Sequence, residues 1–263
     1  MIGLFLGEKK LPLEILKSLK KKKIKYFIID LSKNNKFKKD RNSYFINIGK
    51  FGKILELIKS KKCKKVLFAG NIIKPRISKL KLDLKGIYYI PRIIKASKLG
   101  DAAILKELIK ILSENKIKVV KLNTYNQELT LTKGCHTKTK PTNDDLFLIK
   151  KGVQILNKSN AFNHVQALVI NSAKIVSLEK RKGTKHMLKN IKKKKSIKNL
   201  LIKMPKSKQD LRVDLPTIGL DTLKDCKKVN IKGIVMKANQ NIFLDKSDSL
   251  EYANKNNIFV LAK

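Results

Sequence analysis

The residues best suited to chemistry lie in one short segment, residues 209–219, which reads QDLRVDLPTIG. It combines two carboxylates, Asp210 and Asp214, with Arg212 and Pro216, in a chain whose polar residues are mostly Lys. A carboxylate oxygen is a hard metal ligand or a base, and a planar guanidinium matches carboxylate or phosphate. Pro restricts the backbone that carries these groups. The segment therefore predicts an active-site loop.

The chemistry that this loop suits best is phosphoryl transfer. Mg²⁺ needs only one or two protein carboxylates when substrate phosphates supply its other ligands, and Asp210 and Asp214 meet that requirement. Lys203, Lys206 and Arg212 would neutralise phosphate oxygens. A capped, salt-bridged loop without catalytic function is the alternative interpretation of the same residues.

Other site classes find little support in the sequence. No nucleophile elbow, Walker loop or His-rich metal motif is present, and no two of the three His have the spacing of a shared helix face. Cys63, Cys135 and Cys226 are odd in number and far apart, which indicates neither a disulfide framework nor a zinc site.

The first half of the chain alternates short apolar runs with helical patterns, which predicts a parallel sheet with right-handed crossovers. Strands are predicted at 2–6, 24–30, 44–48, 66–69 and 117–120, and helices at 11–19, 51–59, 92–97 and 102–112. Residues 1–130 are therefore interpreted as a Rossmann-like N-terminal domain.

A change of composition marks the next part of the chain. Residues 131–142 are rich in Thr, Lys, Gly and Pro, which is typical of a linker. Residues 143–263 are interpreted as a C-terminal α/β domain of mixed topology, which carries the loop described above. Its predicted elements are a helix at 144–156, a hairpin of strands 167–170 and 174–178, helices from Thr184 (as the cap), from Thr217 and from Ser247, and strands at 200–202, 233–236, 242–244 and 258–261.

Turns after the predicted strands of the first domain are candidate ligand contacts, because open α/β sheets bind ligands beyond the carboxyl ends of their strands. Gly70, Asn71, Gly100 and Asp101 stand at such turns. A plain strand-end turn, and a helix N-cap in the case of Asp101, are the alternative interpretations. The turn at residues 7–10 lacks the further glycines of a dinucleotide fingerprint, so NAD binding is not predicted.

The formal net charge of +42 suggests a polyanionic partner, yet only five of the 62 basic residues are Arg. The Lys residues are spread over the whole chain beside many Ile and Asn, which indicates a codon bias and solvated helix faces. With no Trp and few aromatic residues, nucleic acid is a disfavoured partner. Several Lys acting together would favour an anionic lipid surface, and no apolar run reaches the length of a transmembrane helix. A cytoplasmic protein, with the inner-membrane surface as a peripheral partner, is the resulting expectation.

The loop also carries a family resemblance. Pro205-Lys206, Gln209 and residues 212–219 (RVDLPTIG) are similar to the signature of the LpxI-type UDP-2,3-diacylglucosamine pyrophosphatases of lipid A biosynthesis. Further residues fall in the order expected for that family: Leu11-Pro12, Gly49, Phe51-Gly52-Lys53, Phe68-Ala69-Gly70-Asn71, Gly100-Asp101, Gln166, Glu179, Gly183-Thr184 and Gly233-Ile234-Val235.

This resemblance implies a two-domain hydrolase that holds a lipid-bearing nucleotide between its halves. The implied reaction is Mg²⁺-dependent cleavage of UDP-2,3-diacylglucosamine to UMP and 2,3-diacylglucosamine 1-phosphate (lipid X), with a homodimer as an option. Asp214 matches the family's essential Asp and would bind Mg²⁺ or orient water, with Asp210 as a second metal ligand and Arg212 as an anion partner. The implied substrate-binding residues are Gly70, Asn71, Gly100, Asp101, Gln166, Gly183, Thr184, Lys206, Gln209 and Thr217.

Two departures from the family pattern keep alternatives open. The first turn reads Glu8-Lys9-Lys10 where the family has a Gly-rich turn, and Lys182-Gly183-Thr184-Lys185 stands where the family has Glu-Gly-Thr-Asp. Glu179 is the nearest carboxylate that would compensate. A sugar-nucleotide-binding protein without turnover is one alternative, and a basic membrane-surface or nucleic-acid binding protein on a Rossmann-like scaffold is another.

Overall fold

A computed structural model describes residues 1–72, 79–163, 165–172, 174–180, 182–192, 197–206 and 210–263. The chain divides into two compact units. Unit 1 comprises Met1–Asn126 together with Arg212–Asp214, and unit 2 comprises Gln127–Leu211 and Leu215–Lys263. The loop predicted to carry the chemistry is thus shared between the units, with its central three residues in unit 1.

Unit 1 is an α/β layer structure around a parallel sheet. Its elements are β1 (Ile2–Leu6), α1 (Leu11–Lys21), β2 (Tyr26–Asp30), β3 (Ser43–Phe45), α2 (Phe51–Ser60), β4 (Lys65–Ala69), α3 (Leu84–Lys98), α4 (Asp101–Glu114) and β5 (Lys118–Val119). Within the described residues the strand order is β3-β2-β1-β4-β5, and every pair is parallel. This confirms the Rossmann-like prediction.

The core of unit 1 follows from the apolar patterns. All five residues of β1 are buried, as expected for a parallel strand covered on both faces. Phe5 and Phe68, on the adjacent strands β1 and β4, stack with their ring centroids 4.5 Å apart. Val213 of the loop also packs against this core cluster, which explains why the loop's centre belongs to unit 1.

Unit 2 is also α/β, but its main sheet is mixed. Its elements are β6 (Gly134–Cys135), α5 (Asn143–Asn163), β7 (Ala167–Asn171), β8 (Lys174–Leu178), α6 (Gly183–Lys189), β9 (Asn199–Lys203), β10 (Thr217–Ile218), α7 (Leu220–Lys228), β11 (Ile231–Met236), β12 (Ile242–Phe243), α8 (Lys246–Lys255) and β13 (Phe259–Ala262). The described strands form one sheet in the order β6-β13-β11-β9-β7-β8 and a small parallel pair, β10-β12. The predicted mixed α/β class is confirmed.

The division of the chain lies slightly earlier than the linker expected from composition. Residues 131–142 fall inside unit 2, where β6 pairs antiparallel with β13 and Leu131 is 1% exposed in the core. Thr137 of this segment is held by two hydrogen bonds, since its Oγ1 accepts from the Val260 N–H at 3.0 Å and donates to the Thr139 carbonyl at 2.9 Å.

Two predicted helix starts and the predicted Thr184 cap are wrong. α3 begins at Leu84 instead of after Pro91, because the Asp83 carboxylate caps it and the helix continues through Pro91. Thr217 begins the strand β10, and the helix starts only after the extended Gly219. The Thr184 hydroxyl is not a cap, since α6 has no side-chain cap hydrogen bond at its start.

The structure also bears on the predictions for the cysteines and for membrane-spanning helices. Cys63, Cys135 and Cys226 are all free thiols, the first and last of them buried. Burial raises the pKa of Cys226 far above its usual range, and the nearby Lys203 ammonium opposes the shift only weakly. Among the described helices, none has the length and apolar character that spanning a membrane requires.

Candidate active site

Several of the predicted site residues of unit 2 lie at one edge of its main sheet. β7 is antiparallel to both β8 and β9, so the carboxyl ends of β8 and β9 lie beside the beginning of β7. Glu179 directly follows β8, Lys203 ends β9 and Gln166 precedes β7. Their backbones are joined, because the Glu179 N–H donates to the Ala167 carbonyl at 2.9 Å and the Met204 N–H to the Gln166 carbonyl at 2.8 Å.

A buried polar network occupies this edge. The Thr184 hydroxyl donates to Glu179 Oε1 at 2.7 Å, and Lys203 Nζ donates to Thr184 Oγ1 at 2.8 Å. Exposure is only 8% for Glu179, 8% for Thr184 and 6% for Lys203. Two opposite charges are therefore held out of water with one hydroxyl between them, an arrangement that depends on every member being present.

The same network holds the backbone that follows the predicted catalytic loop. Lys203 Nζ also donates to the Thr217 carbonyl at 3.2 Å, and the Thr217 hydroxyl donates to the Leu215 carbonyl at 3.2 Å. Leu215 is the chain neighbour of Asp214. The network thus fixes residues one to three positions beyond the carboxylate expected to carry the chemistry. Thr217 takes part through its backbone as well as its hydroxyl.

The backbone conformation of Gly183 explains why this residue is a glycine, and the hydrogen bonds of Thr184 explain why that residue carries a hydroxyl. Gly183 has a φ of +82°, a conformation that favours glycine, and its N–H donates to the Lys180 carbonyl at 2.9 Å. Lys182 and Lys185, the positions at which the resemblance implies carboxylates, are exposed. Glu179 does not take their place at the surface, because it is buried and accepts from Thr184.

In unit 1, Gly70 and Asn71 hold two turns together. The Glu8 N–H donates to the Asn71 carbonyl at 2.8 Å, and the Asn71 N–H donates back at 3.3 Å. Gly70 has a φ of +83°, and a Cβ there would lie 2.5 Å from the Glu8 carbonyl oxygen. A Cβ on Gly7 would lie 2.3 Å from the Asn71 carbonyl oxygen. The backbones approach so closely that only glycine fits, while the Asn71 side chain is exposed.

Gly100 and Asp101 begin α4, but not as predicted. Gly100 is the N-cap residue and has no side chain, so the prediction of Asp101 as the cap is wrong. Asp101 instead occupies the first turn of the helix, where a carboxylate complements the helix dipole. A Cβ on Gly100, whose φ is +104°, would meet no atom within 4 Å. This glycine is explained by its conformation and not by a close neighbour.

The loop residues are divided by the structure. Arg212 lines a small pocket of unit 1 with residues of α4, of β5 and of the connection between them, namely Ile109, Ser113, Lys116, Ile117, Lys118 and Val119. β5 pairs with the beginning of β4, whereas Gly70 follows the end of β4. The structure therefore does not bring Arg212 to the Gly70 turn. Asp214 is half-buried in unit 1; Lys206 and Asp210 are half-buried in unit 2; and Gln209 lies outside the described residues.

Metal-binding potential in the described parts of the chain is limited. No group of three or more His, Cys, Asp or Glu side chains that could hold a metal ion occurs there. Within the same residues the Asp214 carboxylate has no hydrogen-bond or ion-pair partner. Asp210 and Asp214 supply the hard oxygen donors that Mg²⁺ prefers, and Mg²⁺ takes its remaining ligands from water and phosphate. The donor chemistry therefore fits this ion.

Comparison with known proteins places the chain in a family. The model of the LpxI N-terminal domain matches residues 1–129, and that of the LpxI C-terminal domain matches residues 132–261. The chain belongs to the LpxI family. The resemblance seen in the loop is thereby confirmed, and the two family domains closely follow units 1 and 2.

One curated relative extends this assignment. The UDP-2,3-diacylglucosamine pyrophosphatase LpxI of Caulobacter vibrioides is 28% identical over 224 residues, which cover 82% of this chain and 80% of the relative. The likeness therefore extends across both LpxI domains and is not confined to one motif.

The burial of Lys203 was not predicted from the sequence. Lys203 was expected to bind phosphate, but its side chain is buried and its ammonium donates to Thr184 and Thr217. A signal was present, because Lys203 ends the strand NLLIK, all of whose residues are buried. A Lys at the end of such a strand has apolar neighbours and therefore needs acceptors of its own.

Proposed function

We propose that this protein hydrolyses the pyrophosphate of UDP-2,3-diacylglucosamine in lipid A synthesis, releasing UMP and 2,3-diacylglucosamine 1-phosphate. The observation that carries the proposal is the match of both LpxI domain models along residues 1–129 and 132–261. In the reaction, water forms a bond to one phosphorus, the bond from that phosphorus to the bridging oxygen breaks, and the other phosphate leaves with the bridging oxygen.

Asp214 is the proposed catalytic carboxylate. Its support is the family signature around it and the absence of a hydrogen-bond or ion-pair partner within the described residues. It would orient the attacking water or, with Asp210, hold Mg²⁺. When bound, Mg²⁺ would neutralise charge that develops on the phosphate oxygens. Arg212, which stays protonated at all accessible pH values, and Lys206 would bind phosphate oxygens.

The proposed substrate-binding residues fall into two groups. Asn71, Asp101, Gln166 and Gln209 would contact the nucleotide or sugar through their side chains; the Gln166 Oε1 atom is buried and has no partner among the described residues, which supports such a role. The others would shape the backbone around the substrate. These are Gly70, Gly100, Gly183, Thr184 and Thr217.

The direct test is release of UMP from UDP-2,3-diacylglucosamine in detergent micelles, with Mg²⁺ or with EDTA. We expect release with Mg²⁺, loss with EDTA, and a decrease on the order of a hundredfold or more in kcat for Asp214→Ala. The matched control is Asp221→Ala, which removes an exposed carboxylate seven residues further along the chain. Full activity of Asp214→Ala would contradict the proposal. Hydrolysis in ¹⁸O-labelled water would show which phosphorus is attacked, by the product that gains the label.

A sugar-nucleotide-binding protein without turnover is the second candidate. The observation that favours it is the exposed pair Lys182 and Lys185, at positions where the resemblance implies carboxylates. It predicts saturable binding of the substrate by calorimetry and no UMP. In that case the double variant Lys182→Glu/Lys185→Asp should gain activity, whereas on the first proposal the wild type is already active.

Two partners complete the proposal. A substrate with two acyl chains resides in a membrane, so the inner-membrane surface is the proposed place of encounter, with the protein bound peripherally on the cytoplasmic side. A homodimer is proposed as the assembly, and light scattering of the purified protein tests it.

A further inference from the structure

The outer side of α3 presents an apolar stripe to solvent. Leu84 is 86% exposed, Ile87 57% and Tyr88 71%. Pro91 continues the stripe and is also exposed. These positions, i, i+3, i+4 and i+7, lie on one face of a helix, and we call them the α3 face. Exposed apolar side chains scattered singly are ordinary, but a contiguous helical stripe of large ones indicates an interaction surface.

The rest of unit 1 holds this helix in a defined orientation. The Asp83 carboxylate accepts from the Gly86 N–H in the first turn of α3, at 2.8 Å, and from the Gly52 and Lys53 N–H groups in the first turn of α2, at 3.1 and 3.0 Å. On the inward side the Tyr89 ring meets Phe51 edge-on, with centroids 5.5 Å apart. The helix is thus anchored by its inner face while the α3 face points to solvent.

The charges around the α3 face are positive. Lys85, Lys95 and Lys98 are exposed on the same helix. The neighbouring carboxylates are already engaged: Asp83 accepts three backbone N–H groups, and Arg92 donates to Glu107 at 2.6 Å and to Glu114 at 2.8 Å. An apolar stripe flanked by Lys is the pattern of a helix that lies in the interface of an anionic bilayer.

We propose that the α3 face docks on an anionic lipid bilayer. Leu84, Ile87 and Tyr88 would enter the boundary between headgroups and acyl chains, and Lys85, Lys95 and Lys98 would contact the anionic headgroups. A second copy of the chain is a less suitable occupant of this face, because the exposed Lys85, Lys95 and Lys98 of one α3 face would meet the same three Lys of the other. The proposal extends the proposed function by naming the docking surface, but its test requires no catalysis.

The test is co-sedimentation of the whole protein with vesicles of phosphatidylcholine, with or without phosphatidylglycerol. We expect binding to the anionic vesicles that weakens as salt is added. Ile87→Asp should lower the partition coefficient by about tenfold or more, the equivalent of removing one buried aliphatic side chain from the interface. The matched control is Phe147→Asp on α5, which changes an aromatic residue that is 66% exposed and should have little effect.

The contribution of charge is tested separately. The triple variant Lys85→Gln/Lys95→Gln/Lys98→Gln should lose about fivefold in partitioning for each Lys removed. Its control removes three exposed Lys of α5, by Lys150→Gln/Lys151→Gln/Lys158→Gln, and leaves the net charge the same as in the triple variant. Equal losses in both would show attraction by net charge alone and would overturn the assignment to α3.

Other outcomes also decide the matter. Equal binding of Ile87→Asp and Phe147→Asp, or equal binding to vesicles with and without phosphatidylglycerol, would overturn the proposal. So would dissociation of a dimer by Ile87→Asp in light scattering, which would assign the face to a second copy. Ile87→Asp should retain hydrolysis of micellar substrate, so loss of vesicle binding with retained activity separates this proposal from the proposed function. An unchanged circular dichroism spectrum and unfolding midpoint would show that the variant is folded.

Discussion

The two sheet edges that carry predicted site residues are built by opposite means. In unit 1 the turns at Glu8 and Asn71 are joined backbone to backbone, and Gly70 makes room for the contact. In unit 2 the edge is joined by buried charged and polar side chains, Glu179, Thr184 and Lys203. The edge of unit 1 requires a residue without a side chain at position 70, whereas the edge of unit 2 requires the side chains of Glu179, Thr184 and Lys203 together. Substitutions should therefore have different consequences at the two edges.

The largest expected effect is that of Lys203→Met. This change keeps the apolar stem but leaves the Glu179 carboxylate buried without the ammonium beyond Thr184. Removing one charged member of a buried hydrogen-bonded network costs about 3 kcal/mol or more in the free energy of unfolding, because the remaining charge keeps its desolvation penalty. Urea unfolding of wild type and variant measures it. If the cost reflects the stranded charge, Lys203→Met/Glu179→Gln should recover most of the loss.

The control for this change is the exposed pair of α8, in which Lys255 Nζ lies 2.7 Å from Glu251 Oε1. Lys255→Met should leave the urea midpoint unchanged within error, because solvent screens such pairs. A loss as large as that of Lys203→Met would show that the substitution to Met, and not the buried charge, is responsible.

The edge of unit 1 should respond to a single methyl group. Gly70→Ala places a Cβ 2.5 Å from the Glu8 carbonyl oxygen and 2.7 Å from Pro12 Cγ, at a φ of +83°. We expect a loss of about 2 to 3 kcal/mol in the free energy of unfolding, from backbone strain and steric overlap together. Gly100→Ala is the matched control, because its φ is also positive but no atom lies within 4 Å of the added Cβ. It should cost only about 1 kcal/mol, and equal losses would show that overlap contributes nothing.

The same contrast explains what could be predicted from the sequence. Apolar periodicity located β1, α1 and α2 of unit 1, because parallel strands and amphipathic helices have strong local patterns. The hairpin of β7 and β8 was predicted correctly for the same reason. The RVDLPTIG segment pointed to the correct family by its residues alone, because a long ordered motif is specific.

The features that escaped prediction depend on contacts between residues distant in sequence. The Thr184 hydroxyl had the local pattern of a cap, but in the folded chain it donates to Glu179 and accepts from Lys203 instead of capping the helix. The first two turns of α3 were not predicted, because Pro91 has the local pattern of a helix start. The actual cap, Asp83, lies eight residues earlier. The assignment of Val213 to the core of unit 1 likewise required the tertiary structure.

The smallest expected effect compares two carboxylates at helix starts, one in each unit. Burial alone would raise the pKa of Asp145, but the Lys232 ammonium at 2.6 Å and hydrogen bonds from Thr142 outweigh it, so the pKa is lowered. Burial would also raise the pKa of Asp83, but the N–H groups of Gly52, Gly86 and Lys53 lower it. Each carboxylate thus stabilises the fold fully above the unfolded pKa of about 4, and this contribution is lost as the pH falls through the lower folded value.

These two carboxylates should respond differently when the cation is removed. In Lys232→Met the acid-dependent part of the stability of unit 2 should shrink, because the depressed pKa of Asp145 depends on the ammonium. Lys53→Met should leave the contribution of Asp83 in place, since Lys53 acts there only through its backbone N–H at 3.0 Å. Urea midpoints measured from pH 6 down to about pH 3, where carboxylates titrate, test both variants. If the urea midpoint of Lys232→Met falls between pH 6 and pH 3 as much as that of the wild type, the hydrogen bonds from Thr142 are enough to keep the Asp145 carboxylate ionised. The contrast between stabilisation by backbone and by side chains would then not extend to these helix starts.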